Sequence, residues 1–109
     1  MQTISTEQLQ QKLDSDMATV LNVLPEENYT EEHIPGSINI PEDNLEDEVP
    51  ERFEDDEEII VYCIDEDCNA SPRSAETIAS LGFENVRDYE PGIEGWKAED
   101  LDVAAANPR

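Results

Sequence analysis

Apolar residues come in short bursts separated by acidic stretches, and the spacing inside each burst identifies an element. Ser5-Thr6-Glu7-Gln8 is a capping box, with Ser5 as N-cap and Gln8 reaching back, and Leu9 and Leu13 then share one face of a short first helix. Residues 18–24 are apolar and rich in β-branched side chains, lie between an acidic turn and Pro25, and predict a buried central strand. Pro25 can open a brief helical turn, Ile34-Pro35-Gly36 forces the chain round, and residues 37–40 form a second short strand stopped by Pro41. Over residues 46–58 there are nine acids and one arginine, with Leu45, Val49 and Phe53 at four-residue intervals as the apolar anchors. That spacing predicts a surface helix followed by an acidic loop. Ile59-Ile60-Val61-Tyr62 is a continuous apolar run, as in a strand covered on both faces, and Cys63 stands at its C-terminal end. Ser71-Pro72 reads as an N-cap followed by proline at the first helical position, Ala75, Ile78, Ala79 and Leu81 form the apolar stripe, and Gly82 is the stop. Phe83 to Val86 leads into another short strand, and Gly92-Ile93-Glu94-Gly95-Trp96 reads as a turn closed by an anchoring aromatic.

Strands alternating with helical patterns predict an α/β domain with a small, largely parallel central sheet flanked by helices. A chain of 109 residues suits one such domain. Its core is expected over residues 4–97, followed by a tail that frays beyond about Val103. Sites in such sheets form at the C-terminal ends of the strands, where Cys63 lies.

Charge changes the picture of partners. There are 29 Asp plus Glu against 6 Lys plus Arg, a formal net charge of -23. Nucleic acid and anionic membrane are excluded as partners, because both require clustered cations to displace counterions. No signal peptide or membrane span is evident, so a cytoplasmic protein is expected. Disorder is a poor account of the acidity, since the apolar residues keep strand and helix spacing. A basic partner would need one acidic face, whereas here acids punctuate nearly every segment. A salt-rich, halophilic cytoplasm is the preferred account: at about 1 M salt the Debye length is about 3 Å and self-repulsion is largely screened.

The two cysteines, Cys63 and Cys68, are too few for a disulfide framework and point instead to a local site. A thiolate at Cys63 would be favoured by the backbone N–H groups of the following loop and by the positive end of the helix near Pro72. The competing reading is that Cys63 is a small buried apolar residue ending a strand. Zinc binding by Cys63, Cys68 and His33 is disfavoured, because the ligand spacing is loose and no fourth ligand stands out.

Four pieces occur in order: residues 33–41 with His33-Ile34-Pro35-Gly36, then Val61-Tyr62-Cys63, then residues 75–86, then Gly92-Ile93 with Trp96. Together they resemble the rhodanese-like domains over roughly residues 4–97. The resemblance implies a small parallel sheet flanked by helices. It also implies sulfurtransferase activity, with catalytic Cys63 accepting a sulfane sulfur as a persulfide and passing it to a nucleophile, without a cofactor. The partners it implies are a small-molecule or protein-bound sulfur donor and a thiol acceptor. Ile64, Asp65, Glu66, Asp67, Cys68, Asn69, Ala70 and Ser71 then form the active-site loop. Some rhodanese-like sequences carry a second loop cysteine before Asn and a small residue, so Cys68 is a candidate resolving thiol, with a loop residue of no duty as the alternative. His33, before the Ile-Pro-Gly turn, is expected to be structural.

The departures from the family pattern are specific. Many active members carry an arginine in the loop and another at the place held here by Leu24; Asn22 stands where aspartate is usual, and Pro91 replaces the first of a glycine pair. The loop is about two residues longer than in common thiosulfate users, as in phosphatase relatives, but without the arginine they use to hold an oxyanion. Arg73 is the cation nearest the loop and the candidate anion contact. One carboxylate about 7 Å from the sulfur, at an effective dielectric of about 20, disfavours the thiolate by roughly 2 kcal/mol, and Asp65, Glu66 and Asp67 each add to this before screening. A helix terminus returns only about 0.3–1 kcal/mol. A small or protein-bound donor therefore suits the loop better than thiosulfate. A non-catalytic binding or sensing module and a Cys63/Cys68 redox-sensing dithiol remain as alternatives.

Overall fold

Five short strands form one sheet in the order β1-β5-β4-β2-β3, with every neighbouring pair parallel. The computed structural model describes residues 2–15 and 18–105. Its elements are β1 (Gln2–Thr3), α1 (Thr6–Ser15), β2 (Thr19–Asn22), α2 (Glu26–Glu31), β3 (Ile38–Asn39), a 3-10 turn (Glu42–Asn44), α3 (Leu45–Arg52), β4 (Ile59–Tyr62), α4 (Ala70–Ser80), β5 (Val86–Asp88) and α5 (Gly92–Ala98). No helix among the described residues is long and apolar enough to cross a membrane.

The unbroken apolar run of β4 follows from its central place. Ile59, Val61 and Cys63 face a cluster that contains Leu45 and Val49 of α3 and Ala75 and Ile78 of α4. Ile60 and Tyr62 face the opposite cluster, with Leu9 of α1 and Ile93 and Trp96 of α5. Both faces are covered, so alternation with polar residues is absent. Burial of each such side chain contributes roughly 1.5–3 kcal/mol.

The capping box forms as the sequence predicts: Ser5 N–H donates to Gln8 Oε1 at 3.1 Å and Gln8 N–H donates to Ser5 Oγ at 3.2 Å. Four elements differ from the sequence reading. β1 is added at the sheet edge, where two residues pair with Arg87 and Asp88 of β5. α4 begins at Ala70, so Ser71 lies inside its first turn instead of capping it. The predicted turn at Gly92–Trp96 is a helix, α5, whose first amides find acceptors in a neighbouring loop. The segment after α5 is fastened down: Trp96 Nε1–H donates to the Asp102 carbonyl at 2.7 Å, and His33 and Ala104 exchange two backbone hydrogen bonds of 2.9 Å. The predicted fraying thus does not begin at Val103, and residues 106–109 lie outside the described residues.

Candidate active site

Cys63 follows β4 at the C-terminal edge of the sheet and is fully buried. The loop beyond it, residues 64–69, is held at its start by α5. Ile93 N–H donates to the Cys63 carbonyl at 3.1 Å and Glu94 N–H to the Ile64 carbonyl at 2.9 Å. These bonds satisfy amides that a helix start otherwise leaves unpaired. Gly92 permits the approach: its φ is 67°, and a Cβ there would lie 2.6 Å from the carbonyl carbon of Ile64 and 2.7 Å from the Asp65 nitrogen. The loop backbone rests directly on this glycine.

The rest of the loop folds on Asp65. Asp67 N–H donates to Asp65 Oδ1 at 3.0 Å and Cys68 N–H to the Asp65 carbonyl at 3.2 Å, a turn of the kind aspartate favours. It brings Cys68 back over β4, where Cys63 and Cys68 are joined as a disulfide with Cα atoms 6.4 Å apart. Cys63 Sγ also lies 3.6 Å from the Cys68 carbonyl oxygen. The two cysteines that the sequence singles out are therefore brought together, while Ile64 at the loop's start is 39% exposed.

Asn69 and Ala70 lead into α4, and Ser71, in its first turn, is buried. Ser71 serves Asp88, a buried carboxyl at the end of β5 that sequence reasoning missed. Burial pushes the Asp88 carboxyl above the usual carboxylate range; hydrogen bonding from Ser71 offsets this in part, and the negative charge of Glu90 adds to it. Among the described residues, Asp88 Oδ1 and Ser74 Oγ have no hydrogen-bond partner. Asp88 shares the buried face of β5 with Val86, two residues before it, and that alternation is the signal that marks it.

Leu24 and Ala70 line a groove of about 360 Å³ with Val23 and Pro25, and Glu26, Glu42 and Asp43 make its acidic side. A second hollow of about 320 Å³ is bounded by Asp65, Glu66, Asp67, Pro91 and Glu94. Arg73, the candidate anion contact, is held by Glu42 in a two-point ion pair of 2.8 and 3.1 Å. The other described cations are also paired: Lys12 and Arg87 with Glu58, Arg52 with Glu48, and Lys97 with Glu32. The surroundings of the loop thus offer acids and apolar surface, with their nearest cation already neutralised. Among the described residues, no cluster of three or more His, Cys, Asp or Glu has the geometry to hold a metal ion.

Beneath the groove, a hydrogen-bonded hub fixes the β2–α2 junction. The Tyr62 hydroxyl receives Asn22 Nδ2–H and Ile34 N–H, each at 3.0 Å, and lies 2.8 Å from Ser37 Oγ. Ser37 Oγ–H is directed to the Ile34 carbonyl at 2.7 Å, so Tyr62 donates to Ser37 and its bonding capacity is full. Asn22 Oδ1 accepts Leu24 N–H at 2.9 Å, and Asn39 Nδ2 donates to the Asn22 and Leu24 carbonyls. Asn22 thus both donates and accepts, which an aspartate side chain does not do when ionised. His33 makes the fixing contact expected at this turn: its ring stacks on Tyr29 at 3.9 Å and its Nδ1 lies 2.9 Å from the Tyr29 carbonyl oxygen.

A sequence model of the Rhodanese-like domain family matches residues 5–99. The chain is 36% identical over 94 residues to the putative sulfur carrier protein YrkF of Bacillus subtilis, covering 85% of this chain and 49% of that protein. It is 30% identical over 105 residues to the HTH-type transcriptional regulator Rv0324 of Mycobacterium tuberculosis, covering 96% of this chain and 46% of the regulator. The chain therefore spans just under half the length of these two relatives. Among solved structures, the BH2092 protein from Bacillus halodurans superposes with a TM-score of 0.89 at 29% identity, covering 96% of this chain and 77% of that one.

Proposed function

Because the chain belongs to the rhodanese-like domain family, we propose that it is a sulfurtransferase that carries sulfane sulfur on Cys63. The Cys63 thiolate attacks the outer, sulfane sulfur of a donor, the donor leaves as its thiolate, and a nucleophile then removes the sulfur from the Cys63 persulfide. The name of the Bacillus subtilis relative, a putative sulfur carrier protein, points the same way. The observation that carries the reading is the direction of the Cys63 sulfur, which leaves the end of β4 and reaches into the loop ahead of α4, where it meets Cys68.

The donor class follows from the charges. Glu26, Glu42 and Asp43 beside one groove and Asp65, Glu66 and Asp67 on the loop oppose a dianion, and Arg73 is engaged by Glu42. A neutral or protein-bound persulfide fits this site better than thiosulfate. The test is mass spectrometry of the reduced protein after exposure to an alkyl persulfide in molar potassium chloride. One added sulfur located on Cys63, and absent from Cys63→Ser, is the expected result; an unmodified Cys63 with every donor tried overturns the proposal.

The disulfide favours a second reading, an oxidant-sensing dithiol. Peroxide treatment of the reduced protein separates the two: closure of the disulfide by peroxide together with inertness toward persulfides supports the sensor.

A further inference from the structure

We propose that Cys68 is the nucleophile that displaces the sulfur carried by Cys63, so that the domain releases it as hydrosulfide and is reset by a dithiol. This rests on the persulfide reading above and names the group that discharges the persulfide. The disulfide shows that the Cys68 sulfur reaches the Cys63 sulfur within the folded loop. In the persulfide, that same Cys63 sulfur is the inner atom of the Sγ–S bond. Attack on it by the Cys68 thiolate forms the Cys63–Cys68 bond, breaks the bond to the outer sulfur and expels that sulfur as hydrosulfide. The two cysteine sulfurs are oxidised to a disulfide while the sulfane sulfur is reduced to sulfide, and no outside electron source enters this step.

The charges around the loop favour an internal nucleophile. A free anionic nucleophile such as sulfite or cyanide would have to approach the Cys63 persulfide past Asp65, Glu66 and Asp67, with Arg73 neutralised by Glu42. Cys68 is already inside that ring, held by its own amide on Asp65. The same acids speed the product outward, since hydrosulfide leaves as an anion.

Resetting needs two electrons, which a dithiol of the small or protein-borne class supplies. Its first thiolate attacks Cys68, because in the disulfide-bonded form Cys63 is fully buried whereas Cys68 is part-exposed. Cys63 leaves as thiolate, and the second thiol of the reductant then frees Cys68. Over the cycle, one persulfide and one dithiol become one thiol, one hydrogen sulfide and one disulfide, so atoms and electrons balance.

A single turnover of the full chain tests this. The protein is reduced, freed of reductant and given one equivalent of an alkyl persulfide, and sulfide is trapped while intact mass is followed. Wild type should pass through a Cys63 persulfide and end as the disulfide, with about one sulfide released per chain, whereas Cys68→Ser should hold its sulfur on Cys63 and release at least about tenfold less. Cys68→Ala, with an unchanged far-UV spectrum, repeats the measurement with a different side chain in the loop. A wild type that keeps its persulfide as stably as the variants overturns the inference and leaves the persulfide reading intact. A Cys68→Ser protein that carries the donor's thiol as a mixed disulfide on Cys63 overturns both readings, because Cys63 then attacks the donor's inner sulfur and no persulfide forms. If neither protein acquires sulfur, the persulfide reading itself fails. Monothiol treatment of the disulfide should leave its adduct on Cys68; an adduct on Cys63 overturns the proposed direction of resetting.

Discussion

Gly92 is the residue on which the loop's position depends. Its positive φ disfavours any L side chain by about 1–2 kcal/mol, before the contact of a new Cβ with the Ile64 and Asp65 backbone is counted. Gly92→Ala should therefore lower stability by at least about 2 kcal/mol and lift Ile64 and Asp65 off α5. Persulfide formation should fall at least about tenfold even below the melting transition, since misplacing a nucleophile by an ångström is costly; donor-dependent mass gain at matched folded fraction checks this. Tyr62 is the complementary case, a hub without chemistry of its own. Removing its hydroxyl leaves buried donors on Ile34 and Asn22 without an acceptor. Tyr62→Phe should cost about 2–4 kcal/mol in chemical denaturation while leaving the Cys63 loop intact. Retention of wild-type stability would show that the two donors find other partners. Neither role can be read along the chain, because position 62 looks like one more apolar residue of a strand and its partners are 25 to 40 residues away.

At the scale of elements, the junction of β5 with the first turn of α4 holds the least comfortable group in the fold. Asp88 is buried at the end of β5, its carboxyl is raised above the ordinary value of 3.8 by burial, and Ser71 hydrogen bonding only partly offsets this. The folded state therefore binds the proton more tightly than the unfolded state does. The stabilisation this gives is fully present below about pH 3.8 and is lost as pH rises through the raised folded value. Asp88→Asn should accordingly raise the denaturation midpoint at neutral pH, with the gain shrinking as pH falls through the folded value; a gain independent of pH would assign the effect to packing. The same junction explains where sequence reasoning stopped. Ser71-Pro72 has the composition of a helix start, yet α4 begins at Ala70 and Ser71 lies buried within its first turn. α5 was unreadable for a related reason: two glycines in seven residues argue against a helix, and its start is stabilised by loop carbonyls of Cys63 and Ile64 instead of a cap. β1 is two residues long and exists only through its pairing with β5. By contrast, the Ser5–Gln8 box, the β4 run and the place of Cys63 were legible, because each is set by local chemistry or by burial on two faces. The spacing of Cys63 and Cys68 marked a shared local site, whereas the turn on Asp65 that brings the two sulfurs together has no signal of its own.

Across the whole molecule, every cation among the described residues is paired with an acid, and the net charge of -23 is left over. The exposed pairs among these contribute at most about 1 kcal/mol each, so repulsion among the remaining carboxylates dominates the electrostatics. Raising potassium chloride from about 0.05 M to about 1 M shortens the Debye length severalfold, so the thermal midpoint should rise steadily over that range. A midpoint that falls or stays flat would remove the case for adaptation to salt. The parallel sheet, α4 and α5 form a frame whose contact with the active loop is concentrated at its beginning, where α5 grips the carbonyls of Cys63 and Ile64 above Gly92. Once the Cys63–Cys68 bond is reduced, a segment gripped at its root by α5 becomes an exchangeable cassette. Evolution can change its length and its charges beyond Ile64 without moving the sulfur atom, and a designer who grafts a shorter, arginine-bearing insert between Ile64 and Ala70 can retune this frame from one class of sulfur donor to another.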